Sequence, residues 1–245
     1  MRLGAQGPKL GGKIILALDV DTLAKARYFV NKLYPKVKIF KVGPHLFTAF
    51  GPKVIDVIYK KGGSVFLDLK FHDIPNTVSN AVRQAVKLRV RMLTLHISGG
   101  EEMLKAAVKS VDEESKCLKV KRPLLIGVTV LTSQKSRPQA ILKLAKLGLD
   151  CGLDGVVCSV REAHFLRSKI KNKFLIITPG IRADNAVSDD QKRTATVTEA
   201  IQAGSDFLVV GRPILKAEDP LKAARELLTG GIPSQPKLRV SPNFR

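Results

Sequence analysis

The sequence predicts a single-domain α/β protein, a (β/α)8 barrel of the TIM type spanning residues 13–229. Three observations predict it. Short apolar runs alternate with helix-length segments eight times along the chain. The length of 245 residues matches the roughly 250 that such a barrel takes. Polar and charged residues collect just after the apolar runs, and a barrel carries its chemistry at those strand ends. A doubly wound open sheet shares the alternation and is the alternative architecture.

Each element follows from local pattern. Short apolar runs read as buried strands, and they are expected at 13–19, 37–42, 91–97, 124–130, 155–158, 174–178 and 207–210, with the third strand starting at 64. Helices are expected at 22–33, 44–60, 100–111, 138–147, after 160, and near 197–203. Pro75 opens the helix that runs to about Leu88, because a fixed φ and a missing N–H suit a first helical turn. Pro213 opens the last helix, to about Leu228. Residues 1–12 carry charge and glycine with no apolar stretch, so they read as a flexible leader and not a secretory signal. Residues 230–245, rich in Gly, Pro and basic side chains, read as a flexible tail. No linker divides the chain.

Composition narrows the class. A hydrophobic content of 44% with 26% charged residues is ordinary for a soluble globular protein. No apolar run is long enough to span a bilayer, so no membrane partner is expected. Cys117, Cys151 and Cys158 have neither metal-ligand spacing nor a disulfide framework, which points to a reducing cytoplasm. The net charge of +21 would suit nucleic acid, whose phosphates a basic face neutralises. The basic residues are spread along the chain, however, there is no Trp, and only 5% of residues are aromatic. No stacking platform is therefore evident, and the expected reading is a basic solvated surface that binds no nucleic acid.

The chemistry centres on Asp68-Leu69-Lys70-Phe71-His72-Asp73-Ile74-Pro75-Asn76-Thr77, at the end of the third strand. Strand alternation sends Asp68 and Lys70 to one face and Leu67 and Leu69 to the other. Opposite charges at a buried strand end must be paired. A lone D-x-K there reads as a salt bridge, but Asp73 adds a second carboxylate just beyond. Asp19 ends the first strand and Lys41, before Gly43, ends the second. Asp19, Lys41, Asp68 and Lys70 are expected to alternate in sign around one rim, which would keep Lys70 charged. Thr132 and Ser133 follow the fifth strand. Gly211-Arg212-Pro213 follows the eighth and starts a helix, a setting for anion binding. The long polar loop after the seventh strand, from Pro179 through Arg182 and Gln191 to Thr196, reads as a lid.

With these residues assembled, the chain resembles the bacterial type of the orotidine 5′-phosphate decarboxylase family, from Ile15 to about Leu228. The Asp68 to Thr77 motif is its most specific element. Supporting pieces are Leu16-Ala17-Leu18-Asp19, Phe40-Lys41-Val42-Gly43, Val128 to Ser133, Thr178 to Arg182, Asp190-Gln191-Lys192-Arg193 and Val210 to Pro213. The resemblance implies cofactor-free, metal-free conversion of orotidine 5′-phosphate to uridine 5′-phosphate, in de novo pyrimidine biosynthesis. It implies Lys70 as proton donor to C6, Asp68 near the leaving carboxylate, and Asp19 and Lys41 on the ribose hydroxyls. It implies a homodimer with shared active sites, Asp73 and Thr77 reaching into the partner's site. Thr132 and Ser133 would meet the pyrimidine, and Pro179, Arg182, Gln191, Gly211 and Arg212 would belong to the lid and phosphate site. The alternative is a magnesium-dependent barrel of the 3-keto-L-gulonate 6-phosphate decarboxylase type, which typically has a glutamate ligand where this chain has Lys41.

Overall fold

The computed structural model describes residues 12–131, 137–182 and 195–229. Eight parallel strands close into a barrel in sequence order, β8 returning to β1, so the open-sheet alternative is excluded. The strands are β1 (Ile14–Ala17), β2 (Ile39–Val42), β3 (Ser64–Phe71), β4 (Met92–His96), β5 (Leu124–Val128), β6 (Gly155–Val157), β7 (Leu175–Thr178) and β8 (Phe207–Val210). The expected leader and tail lie outside the described residues, apart from Gly12. Among the described residues, no helix is long and apolar enough to cross a membrane.

The period-two pattern of each strand sorts its side chains between two cores. Ile15, Ile39, Phe66, Met92, Ile126, Ile177 and Val209 fill the barrel interior. Their neighbours Leu16, Phe40, Leu67 and Leu93 face the helices in a larger outer core. Burying each such side chain contributes roughly 1.5–3 kcal/mol. Counting on by twos from the interior positions reaches Asp19, Lys41, Asp68 and Thr94, which continue the inward-facing series above the apolar layer. A one-residue slip of any strand would exchange its interior and exterior sets, so the packing that closes the barrel also fixes the rim.

Helices cover the outside: α1 (Leu23–Leu33), α2 (Pro44–Phe50), α3 (Lys53–Tyr59), α4 (Pro75–Lys87), α5 (Glu101–Leu118), α6 (Pro138–Asp150), α7 (Val160–Lys169), α8 (Val197–Gln202), α9 (Arg212–Leu215) and α10 (Pro220–Leu228). Three differ from expectation. The single helix expected at 44–60 is two, because Gly51 takes φ 54° and Pro52 cannot donate to the preceding turn. The last helix is likewise divided, with Asp219 accepting from the N–H groups of Leu221 and Lys222 to start α10 afresh. The helix expected to stop at 111 runs to Leu118, since 112–116 is polar but helix-compatible, and it ends at left-handed Lys119.

At the N-terminal end of the barrel two carboxylates tie loops to strands. Asp154 accepts from the Leu125 N–H and from Arg122, both at 2.7 Å. Asp206 accepts from the Ile176 N–H at 2.8 Å and from Arg167 at 2.6 Å. Each satisfies a strand-edge donor with a charge, the stronger kind of hydrogen bond.

Candidate active site

The C-terminal rim carries a chain of charges that alternates in sign across three strands. Lys41 Nζ lies 3.4 Å from Asp19 Oδ1 and 3.5 Å from Asp68 Oδ2. Asp68 Oδ1 accepts from Lys70 Nζ at 2.9 Å. The side chains of Lys41 and Asp68 are 12% and 13% exposed, whereas Lys70 at 33% and Asp19 at 64% open toward solvent. The buried pair is thus bracketed by two groups that a ligand can reach. Gly43 leaves room for this arrangement, because a Cβ there would stand 3.2 Å from Lys41 Nζ.

Asp68 is held by more than its lysines. Burial pushes its carboxyl up, but the charges of Lys41 and Lys70, with hydrogen bonds from Lys70 and Thr94, outweigh that and leave it below the usual carboxylate range. Thr94, 1% exposed on β4, donates to Asp68 Oδ1 at 2.9 Å and accepts the Lys70 backbone N–H at 2.9 Å. The bulge between Leu67 and Phe71 interrupts β3–β4 pairing at this point, and Lys70 has φ 50°. Left-handed backbone is unfavourable for a lysine. The Thr94 hydroxyl stands in for the lost ladder bond and fastens both Asp68 and Lys70 to β4. Threonine is an ordinary strand residue, so sequence reasoning passes over Thr94; its one signal is a hydroxyl in the buried run Met92-Leu93-Thr94-Leu95. His72 and His96 flank the same spot, ring centroids 5.2 Å apart, and burial, then the charges of His72 and Lys70, hold His96 below its ordinary pKa.

Other expected residues fall differently. Asp73 stands outside the ion-pair chain: its carboxylate accepts the N–H of Ile74 at 2.7 Å, at the start of α4. Asp73 and Thr77 are both exposed, as is Ile74 at 66%. Arg212 is the first residue of α9, and Gly211 comes close to the rim, since a Cβ there would be 3.6 Å from Asp19 Oδ2. Pro179 and Arg182 follow β7, where Gly180 takes φ 79°. The Arg182 N–H donates to the Ala195 carbonyl and the Ala195 N–H to the Gly180 carbonyl, so residues 180–182 are tied to Ala195. Thr132, Ser133 and Gln191 lie outside the described residues.

Residues 12–227 match the model of the orotidine 5′-phosphate decarboxylase / HUMPS family. The chain is 47% identical over 226 residues to the orotidine 5′-phosphate decarboxylase of Vibrio cholerae, covering 88% of this chain and 96% of that one. It is 46% identical to that of Aliivibrio fischeri, covering 88% and 95%. Among solved structures, the orotidine 5′-phosphate decarboxylase of Lactobacillus acidophilus superposes with TM-score 0.78 at 35% identity, covering 90% of this chain and 99% of that one. An uncharacterised conserved protein of Geobacillus kaustophilus gives TM-score 0.77 at 31% identity, covering 89% and 100%.

Proposed function

The chain belongs to the orotidine 5′-phosphate decarboxylase / HUMPS family, and from that premise we propose that it decarboxylates orotidine 5′-phosphate to uridine 5′-phosphate without metal or cofactor, as a step of pyrimidine biosynthesis. The observation that carries this reading is the alternating chain Asp19–Lys41–Asp68–Lys70. Loss of CO2 from C6 of the pyrimidine leaves a carbanion. Lys70, partly open to the site and fixed through Asp68 and Thr94, sets a positive charge where that carbanion forms, and preorganised charge of this kind is the strongest lever available. The same ammonium then gives its proton to C6. Asp68, ionised at neutral pH, holds Lys70 in place and lies beside the departing carboxylate. Asp19 and Lys41 bind the ribose hydroxyls.

Arg212 and Gly211, with Pro179, Arg182 and Gln191 from the loop after β7, take the 5′-phosphate; the closeness of Gly211 to Asp19 supports a phosphate site contiguous with the sugar site. Thr132 and Ser133 contact the pyrimidine. Binding energy from the phosphate, remote from C6, orders the site for the chemistry. The protein acts as a homodimer in which Asp73 and Thr77 complete the partner's site, a reading supported by their exposure beside exposed Ile74. It works in the cytoplasm, in keeping with three free cysteines.

The magnesium-dependent sugar-phosphate reading is disfavoured by Lys41, whose ammonium sits between the carboxylates of Asp19 and Asp68, where a divalent ion would otherwise compensate them. The test is to follow the ultraviolet absorbance of orotidine 5′-phosphate with exhaustively chelated protein. Undiminished turnover is expected. Loss on chelation with rescue by magnesium would move the chain to the metal-dependent branch.

A further inference from the structure

Barrel topology gathers what the sequence disperses. The loops that lead into strands all lie at the N-terminal end, opposite the charged rim. Loops 34–38, 60–63, 88–91, 119–123 and 170–174 each bring two exposed lysines or arginines to that end. Lys38, Lys61, Arg91, Lys121 and Lys173 stand within three residues of the strand each precedes. None of these exposed cations forms an ion pair with a described carboxylate. The remaining described loops there carry Asp154 and Asp206, already engaged by Arg122 and Arg167; the exposed acids near this end, Asp56, Asp150 and Glu226, stand in the closing turns of α3, α6 and α10. Elsewhere, paired cations such as Lys25, Lys41, Lys70 and Lys105 mix with exposed ones such as Lys143 and Lys222 that pair with no described carboxylate. What sets the N-terminal end apart is the concentration of unpaired cations in five loops of one face.

Against the expectation from composition, we propose that this N-terminal end is a binding surface for single-stranded nucleic acid, contacted through its phosphates alone, without base stacking or sequence preference. Uncompensated like charges raise the free energy of the folded state, and a phosphate backbone relieves them with release of its condensed counterions. A flexible strand can follow a ring of loops, which a rigid rod contacts only along one line. An anionic bilayer is the competing polyanion, but lasting membrane attachment takes a second, apolar signal beside a basic patch. Among the described residues, this end offers Leu118 as its exposed large apolar side chain. The surface lies across the barrel from Lys70, so occupancy leaves the candidate active site open.

The experiment measures fluorescence anisotropy of a labelled random 30-nucleotide RNA with the full chain from 50 to 200 mM salt. Binding is expected to weaken about 10–100-fold over that range, with a log–log slope of roughly −0.7 per phosphate contacted. Two fourfold variants carry the same net charge. K38Q/K61Q/R91Q/K121Q removes charge from the N-terminal end and should bind at least tenfold more weakly with a shallower slope. K25Q/K105Q/K143Q/K222Q removes it from the flanks and should stay within about twofold of the parent. Thermal unfolding of both variants checks the fold. No binding at 50 mM salt, or equal losses in the two variants, overturns the proposal. So does binding to phosphatidylserine vesicles with none to RNA, which would make the surface a membrane contact.

Discussion

Thr94 shows how a residue with no reactive group of its own can govern two that have one. Its hydroxyl is spent in both directions, toward Asp68 and from the Lys70 backbone. Thr94→Val keeps the shape, removes both bonds and leaves a buried carboxylate short of a donor. A hydrogen bond to a charged group is worth about 1.5–3 kcal/mol, so kcat should fall on the order of 10–100-fold with KM nearly unchanged, and Thr94→Ser should recover most of it. Equal behaviour of the Val and Ser variants would mean the hydroxyl is idle. Asp68 gives a pH prediction. Its folded pKa lies below the unfolded value, so its contribution to stability is present in full above the ordinary carboxylate pKa of about 4. It is lost as pH falls through the lower folded value. Asp68→Asn should therefore flatten the acid limb of a plot of melting temperature against pH. The alternating rim is legible in the sequence, because interior parity and charge both show there. Asp73 does not belong with that rim: nearness in sequence puts it beside Lys70, but the turn into α4 directs its carboxylate to the Ile74 N–H.

At the scale of elements, the breaks matter more than the lengths. Gly51-Pro52 is a readable stop signal that the periodicity of 44–60 obscures. The split between α9 and α10 leaves Arg212 on a four-residue helix, so any grip on phosphate there rests on the guanidinium and the Gly211 backbone more than on a long helix. Arg212→Ala should cost roughly 2–5 kcal/mol in kcat/KM with orotidine 5′-phosphate and little further with orotidine, which has no phosphate. Equal fractional losses on the two substrates would remove Arg212 from the phosphate site. The start of α4 makes the other element-scale prediction. Lys70→Ala and Asp73→Ala chains should each be inactive, and dimers mixed from them should regain activity, since one of their two sites has neither defect. Silence from demonstrated heterodimers would return Asp73 to its own subunit.

Over the whole molecule, one topology separates two electrostatic designs. The strand ends that lead into helices carry compensated charge, Asp19 against Lys41 and Asp68 against Lys70, while five loops leading into strands each carry two exposed cations that pair with no described carboxylate. The first is readable from the sequence because each charge follows an apolar run of its own strand. The second is not, because residues as far apart as Lys38 and Lys173 become neighbours of one face only when the barrel closes. Everything in the catalytic reading depends on that closure delivering a fixed ammonium to one carbon of the substrate. The measurement that tests this most directly is kcat of Lys70→Ala on orotidine 5′-phosphate beside the parent protein, in chelated buffer. The parent should turn the substrate over and Lys70→Ala should lose most of kcat, because the group acts on the carbanion and not on the bound ground state. A variant that keeps near-parental kcat would show that the charge and the proton come from elsewhere.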